Sequence, residues 1–200
     1  MHHQRSSLLS VIAVGMTIAT GSVALAAPVP WGGHYYELVQ LQSPGIYWAD
    51  ARSDSASRTY LTLPGHLVTI NSAEEQAFIE TLLPATTGPE RCWAGGFQPD
   101  SVPPEQDPGA GWEWVTGEPW SYTNWDEGEP NEAQSGEDVV NLKLEVEAGF
   151  RWNDEYPENL DVNYYIVEYQ RAAPDQIPEP ATLGLLALGG LGLLRKRRRH

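Results

Sequence analysis

Between residues 124 and 154 the chain sets three oxygen-rich clusters at short intervals, and this spacing limits its possible folds more than any other feature. Asn124-Trp125-Asp126-Glu127-Gly128-Glu129-Pro130-Asn131-Glu132 is followed by Gly136-Glu137-Asp138, then by an alternating apolar run, then by Trp152-Asn153-Asp154. Neither Cys nor His occurs among them. A cation gathered here would be hard and oxygen-loving, because softer metals favour thiolate and imidazole. Calcium accepts about six to eight oxygens in a flexible shell, whereas magnesium dehydrates reluctantly and seldom sits in an all-protein cage. The clusters therefore point to calcium held by Glu129, Asn131, Glu137, Asn153 and Asp154. The fold must bring these separated segments to one point.

In order and spacing, the series Trp125, Glu129-Pro130-Asn131, Gly136-Glu137-Asp138 and Trp152-Asn153-Asp154 resembles the long-loop calcium site of C-type lectin domains. Upstream, Trp93-Ala94-Gly95-Gly96 is similar to that family's core Trp-x-Gly-x motif, and residues 67–78 also resemble it, so the likeness covers roughly residues 33–170. The resemblance implies an α+β fold with two helices, small antiparallel sheets and a long calcium-binding loop. It also implies a cis Glu129-Pro130 bond; a cis bond brings consecutive Cα atoms to about 2.9 Å and can aim both flanking side chains at one ion.

The same five ligands would take part in sugar binding. Two neighbouring hydroxyls could replace waters on calcium, with Glu129 accepting a hydrogen bond and the Asn131 amide also able to donate one. The Glu-Pro-Asn order resembles mannose-type lectins, which read equatorial 3- and 4-hydroxyls as in mannose, glucose, fucose or GlcNAc. A second, structural calcium site would draw on Glu132 and Asp138 with Asp100 or Glu105, although the proline-rich loop there departs from the family spacing.

The remaining pattern suits this fold. Residues 34–39 are aromatic and β-branched enough for a first strand. Residues 47–57 read as a helix with Trp48, Ala51 and Ser55 on one face, and residues 65–70 as a turn and short strand. Ser72-Ala73-Glu74-Glu75 forms a capping box, in which the Ser72 hydroxyl accepts the Glu75 amide and the Glu75 carboxylate reaches back. The helix it opens is expected to turn Ala77, Phe78, Leu82 and Leu83 inward. Residues 99–111, with four prolines and two glycines, are too punctuated for regular structure. Residues 112–115 read as a strand with Trp112 and Trp114 on one face. Residues 119–135 form a second long loop, of the length that is usually functional or disordered, and its Trp and Asx content argues for an ordered, functional one. Strands at 139–144 and 150–152 follow, and residues 164–169 close the sheet against the first strand.

Both ends look like export signals. Arg5, an apolar run over residues 8–19 and Ala24-Leu25-Ala26 read as a secretory signal peptide spanning residues 1–26. The domain then spans residues 33–171, with a proline-rich linker over 172–180. Ile177-Pro178-Glu179-Pro180, fourteen uncharged residues over 181–194, and Arg195-Lys196-Arg197-Arg198-Arg199 resemble a PEP-CTERM sorting signal over residues 177–200. As a helix the apolar run would reach about 21 Å, short of a bilayer core of roughly 30 Å. An ordinary transmembrane tail anchor is the alternative. The signal implies a Gram-negative bacterium, transient anchoring in the inner membrane with the basic cluster cytoplasmic, processing by an exosortase-type enzyme, and release to the surface or extracellular matrix.

All 27 acidic residues lie between positions 27 and 180, against 6 basic ones, so the body carries −21 while the whole chain carries −15. Such a surface repels nucleic acid and suits cation binding. Cys92 is the only cysteine, which excludes an intrachain disulfide. The lectin family usually has two; at positions where its half-cystines are expected this chain has Ser55, Val139 and Val167. Cys92 reads as a buried small hydrophobe, with a reactive or intermolecular thiol as the alternative. His34 and His66 read as isolated surface or turn residues. Trp120 and Tyr122 could stack on a sugar or pack inside, while Trp125 and Trp152 would pin the two halves of the site. No Gly-x-Ser-x-Gly elbow, Walker loop or His-Glu-x-x-His is present.

The expected function is calcium-dependent carbohydrate binding by an exported protein, in adhesion or biofilm matrix, without catalysis. A calcium-stabilised protein-binding or structural module is the second reading. An enzyme using paired carboxylates on polysaccharide is the third.

Overall fold

The computed structural model describes residues 27–42, 44–99 and 108–171; the expected signal peptide, linker and sorting signal lie outside the described residues. The elements run β1 (Val29–Trp31), β2 (His34–Gln40), α1 (Trp48–Ser57), β3 (Thr59–Tyr60), β4 (Leu63–Leu67), α2 (Ala73–Leu82), β5 (Arg91–Phe97), β6 (Glu113–Trp114), β7 (Val139–Lys143), β8 (Trp152–Glu155) and β9 (Tyr164–Tyr169), with a 3-10 turn at Val146–Ala148. Among the described residues, no helix is long and apolar enough to cross a membrane.

Helix α1 buries Trp48, Ala51 and Ser55, as their helical spacing predicts. At the start of α2, Ser72 Oγ accepts the Glu75 amide at 3.1 Å. The Glu75 carboxylate does reach back, but to the amide of Asn71 at 2.8 Å, one residue before the cap, and it also accepts the Tyr36 hydroxyl at 2.7 Å. The inward face of α2 differs from expectation. Ala77 is exposed, Phe78 and Leu82 are half-buried, and Glu75, Gln76 and Ile79 are buried. The helix is rotated because Tyr36 draws Glu75 inward and the Trp152 indole donates to Gln76 Oε1 at 2.9 Å.

Strand ends also shift. β1, which the sequence reading omitted, pairs with β2. β4 starts at Leu63 and ends at Leu67, after which the Val68 carbonyl turns to accept the Gly95 amide at 2.8 Å. Residues 150–152 do not form a strand by themselves. Gly149 and Phe150 both have positive φ, which an extended ladder cannot accommodate, so β8 begins at Trp152 and continues through Asn153 and Asp154.

The sheet path runs β1-β2-β9-β5-β7-β8, with β4 also on β9 and β6 on β5. The expected antiparallel pairing holds except between β5 and β9, which run parallel and join the strands into one mixed sheet. β9 is buried at every residue, as befits a strand paired with β2, β4 and β5.

Two apolar clusters flank it. One joins α2 to the tryptophans under the long loop, Trp112, Trp114 and Trp152; the other joins α1 to Trp93, Val139 and Val167. Trp48 and Trp93 lock the second cluster, donating to the carbonyls of Ala94 and Ile46 at 2.8 Å each. Cys92 is fully buried, and burial pushes its thiol pKa up, consistent with the small-hydrophobe reading.

Candidate functional site

Three anchors carry the long loop to the sheet. Trp125 bridges to Trp152, their rings meeting edge to face at 5.7 Å between centroids. The Asp126 amide donates to the Trp152 carbonyl, and the Trp152 amide to the Asn124 carbonyl, each at 2.9 Å. Trp120 and Tyr122 both pack on Trp152, and Trp120 also contacts Trp112, Trp114 and Trp125. These rings serve packing.

The hairpin supplies the other half of the site. In the β7–β8 ladder Val140 faces Asp154 and Asn141 faces Asn153, with Glu137 just ahead of β7. Asp154 is 2% exposed, and its Oδ2 accepts the amides of Asn131 at 3.0 Å and Glu132 at 2.8 Å. Its Oδ1 is buried without a hydrogen-bond partner. The Glu129-Pro130 peptide is cis, and Asn131 Nδ2 donates to Glu129 Oε2.

The electrostatics match a cation pocket. Burial raises the Glu129 pKa, with the Asp154 carboxylate adding to the rise and Lys143 opposing it. Burial and the Asp154 charge likewise raise Glu137, which is 6% exposed. Carboxylates crowded in this way favour an added positive charge. Asn153 lies on β8, half-buried, and its side-chain amide donates to the Asp154 carbonyl.

A model of the lectin C-type domain matches residues 51–167. The chain belongs to the C-type lectin domain family. A PEP-CTERM protein-sorting motif matches residues 176–199. The chain is similar to asialoglycoprotein receptor 2 of Homo sapiens, 30% identical over 167 residues, which cover 80% of this chain and 46% of the receptor. It is likewise 30% identical over 152 residues to halomucin of Haloquadratum walsbyi, covering 70% of this chain and 1% of that protein. It thus spans less than half the length of either relative. Among solved structures, the cow C-type carbohydrate-recognition domain of CD23, determined in the presence of a GlcNAc2Man3 oligosaccharide, matches at a TM-score of 0.54. The match is 25% identical and covers 74% of this chain and 94% of that one.

The donor chemistry of this C-type lectin domain suits a calcium ion, although the carboxylate oxygens of Glu129, Glu137 and Asp154 do not all lie within 4.8 Å of one another, so they would have to close on it. The donors are all hard oxygens, and the unpartnered Asp154 Oδ1 lies in the same cluster as the buried Glu137. Of the second-site residues, Glu132 Oε1 accepts the Gly136 amide while its Oε2 is buried without a partner. Asp138 lines a groove with Trp48, Arg52 and Phe97. Asp100 and Glu105 lie outside the described residues.

Sequence reasoning missed two constellations. Lys143 Nζ lies 2.8 Å from Asp126 Oδ2 and 3.3 Å from Glu129 Oε1, placing an ammonium against one of the expected ligands. The sequence of β7, with a lysine closing a run of three apolar residues and Asn141, was the available signal.

The second corrects the histidines, which are not isolated. His34 Nδ1 lies 2.6 Å from Oε1 of Glu168, itself 1% exposed, and half-buried His66 approaches Oε2 of the same carboxylate at 4.0 Å. Thr69 donates to Glu168 Oε2 through both its amide and its hydroxyl, at 3.0 Å each, and Glu75 joins His34 and Glu168 with ligand-type atoms within 4.8 Å of one another. Register explains the meeting, since Tyr36 on β2 and His66 on β4 both face Glu168 on β9.

Proposed function

We propose that this protein binds carbohydrate through a calcium ion held by Glu129, Asn131, Glu137, Asn153 and Asp154, as an exported protein of the cell surface or matrix. The observation that carries the reading is the buried, unpartnered Asp154 Oδ1 beside the Glu129–Asn131 pair that flanks a cis proline. When bound, calcium would supply a Lewis-acidic centre for two neighbouring sugar hydroxyls. Glu129 would accept a hydrogen bond from one hydroxyl, and Asn131 would donate one from its amide to the other, an unlike pair that discriminates equatorial 3- and 4-hydroxyls of the mannose type. The two are now bonded to each other, so ligand binding would exchange that bond for bonds to the sugar.

The likeness to the carbohydrate-recognition domain of CD23, determined in the presence of a GlcNAc2Man3 oligosaccharide, supports the substrate class. The sorting motif supports export from a Gram-negative bacterium, exosortase processing and a transient stay at the inner membrane. Adhesion or biofilm assembly is the role that fits both.

A second reading, a calcium-stabilised protein-binding or structural module, draws on the inward packing of Trp120 and Tyr122, which leaves the loop without a free aromatic platform. Calorimetric titration of the metal-free protein with calcium and then α-methyl mannoside, alongside Asn131→Asp, separates the two. Calcium-dependent sugar binding that the variant loses supports the first reading. Calcium binding with no response to any monosaccharide moves the assignment to the second. Release of reducing sugar from polysaccharide would be needed for an enzymatic role.

A further inference from the structure

We propose that Lys143 is an internal counter-cation of the calcium site, holding Glu129 when no ion is bound and withdrawing to Asp126 when one enters, so that the Lys143–Asp126 pair sets the calcium affinity. This rests on the calcium reading above and concerns its regulation.

The placement is specific. Lys143 is the only lysine between residues 27 and 180, in a body with 27 acidic residues. Its ammonium stands between a proposed ligand, Glu129, and a carboxylate outside the ligand set, Asp126. The two contacts are unequal. The 2.8 Å bond to Asp126 is a full charge-assisted hydrogen bond, whereas the 3.3 Å contact to Glu129 is long and weaker.

Asp126 is itself fixed. Its amide donates to the Trp152 carbonyl at 2.9 Å, and its Oδ1 accepts the Glu127 amide at 2.9 Å, so it is a stationary post. An ammonium has three donors on a flexible stem and can release one acceptor while keeping another. An entering divalent cation needs Glu129 and repels the ammonium beside it. Lys143 therefore yields Glu129 and stays on Asp126, which prevents it from following the ligand. Without the ion it keeps Glu129 partly neutralised, which limits repulsion from Asp154 and holds the loop in its binding shape.

The test is calcium calorimetry on the full chain and on Lys143→Met, Asp126→Asn and the double variant. Measurements in about 0.15 M and about 1 M salt separate the local effect from the general field, which 1 M salt screens beyond roughly 3 Å. Lys143→Met should tighten calcium binding on the order of tenfold, the effect of removing one positive charge a few ångströms from a divalent ion. Asp126→Asn should weaken it by a similar factor, because the unhooked ammonium settles on Glu129. In the Lys143→Met background Asp126→Asn should have little effect, and this coupling should persist in high salt. Lys143→Gln, neutral but still a donor to Asp126, gives the same readout if the methionine variant does not fold.

Unchanged or weakened calcium binding in Lys143→Met and Lys143→Gln, or strictly additive effects of the Lys143 and Asp126 substitutions, would overturn the proposal while leaving the calcium reading intact. Absence of calcium binding in the unaltered chain overturns both.

Discussion

Asp154 Oδ2 accepts the backbone amide of Asn131 at 3.0 Å, so the loop tip is bonded to strand β8 by a carboxylate whose other oxygen is unpartnered. One side chain thus fastens the loop and, on the calcium reading proposed above, would also offer a donor to the ion. Asp154→Asn separates these roles. Its single carbonyl oxygen would take the loop amides, turning an NH2 group toward Glu129 where Oδ1 now lies. Calcium affinity should fall by about 100-fold or more, beyond the range typical of residues that only support ligands. Folding stability should drop by about 1–2 kcal/mol, as expected for a weakened hydrogen bond to a charged acceptor. Calorimetry and urea denaturation check the two separately. Equal losses in binding and folding would mean that Asp154 is only a clasp.

The His34–Glu168 pair makes stability depend on pH. The hydrogen bond to Glu168 raises the His34 pKa above 6.5, against the lowering effect of burial, with further raising by the charges of Glu168, Glu75 and Glu118. Folding therefore favours the protonated imidazole. Its contribution is fully present below the unfolded value of 6.5 and is lost as pH rises through the higher folded value. Glu75, raised by burial, loses stability in the same direction, from the ordinary carboxylate range upward; Glu118, lowered by its hydrogen bonds to Thr69, Asn71 and Thr116 despite burial, acts oppositely at acid pH. The urea midpoint should fall from about pH 6 to about pH 9, and His34→Gln should flatten that slope. An equal slope in the variant would remove His34 as its source.

Where the chemistry is local the sequence names the candidate donors, and the cis Glu129-Pro130 bond that the resemblance implied is present. Glu129-Pro130-Asn131, Glu137 and Asn153-Asp154 declare their donors by residue type, and the hairpin register carries Asp154 to the loop. The Ser72 cap was legible for the same reason. Lys143 was not, because its partners lie 17 and 14 residues away across an irregular loop. His34 and Glu168 are 134 residues apart and meet only through the β2–β9 pairing. The inward face of α2 was misjudged because hydropathy does not anticipate a buried glutamate and glutamine held by Tyr36 and Trp152.

A polar network stands beside two of the positions where the family has half-cystines. Ser55 on α1 and Val167 on β9 both approach Gly65, where an added Cβ would lie 2.6 Å from the Ser55 carbonyl oxygen and 2.9 Å from Val167 Cγ1. Next to them Arg58 donates to Asp54 at 2.6 Å and to Glu37 at 2.9 Å, while Tyr165 and Tyr169 donate to the same two carboxylates. This network ties α1 to β2 and β9 without sulfur. Ser55→Cys with Val167→Cys should form a disulfide on oxidation and stabilise the fold by about 2–4 kcal/mol. Arg58→Met, which leaves Glu37 unbalanced, should cost about 2 kcal/mol after allowing for the partial exposure of Arg58. Denaturant midpoints under oxidising and reducing conditions measure both. An Arg58→Met cost that the disulfide largely relieves would show that the two devices brace one contact.

Gly96 links the core to the loop. It pairs with Trp114 on β6, and a Cβ placed there would lie 2.5 Å from Val140 Cγ2 and 3.0 Å from two atoms of the Trp120 indole. Neither neighbour can retreat easily, since Val140 is fully buried opposite Asp154 and Trp120 is wedged among Trp112, Trp114 and Trp152. Gly96→Ala should therefore destabilise the fold by about 1–3 kcal/mol through overpacking. The displacement has two routes to the proposed calcium site: Val140 pushes on Asp154, its partner across the ladder, and Trp120 pushes on the rings packed with Trp125. Calcium affinity should fall in the same variant, although Gly96 contributes no donor to the site. Adding Trp120→Phe should restore part of the stability, because the smaller ring vacates the space the methyl needs. If affinity also recovers, Trp120 transmits the strain; if only stability recovers, Val140 and β7 do.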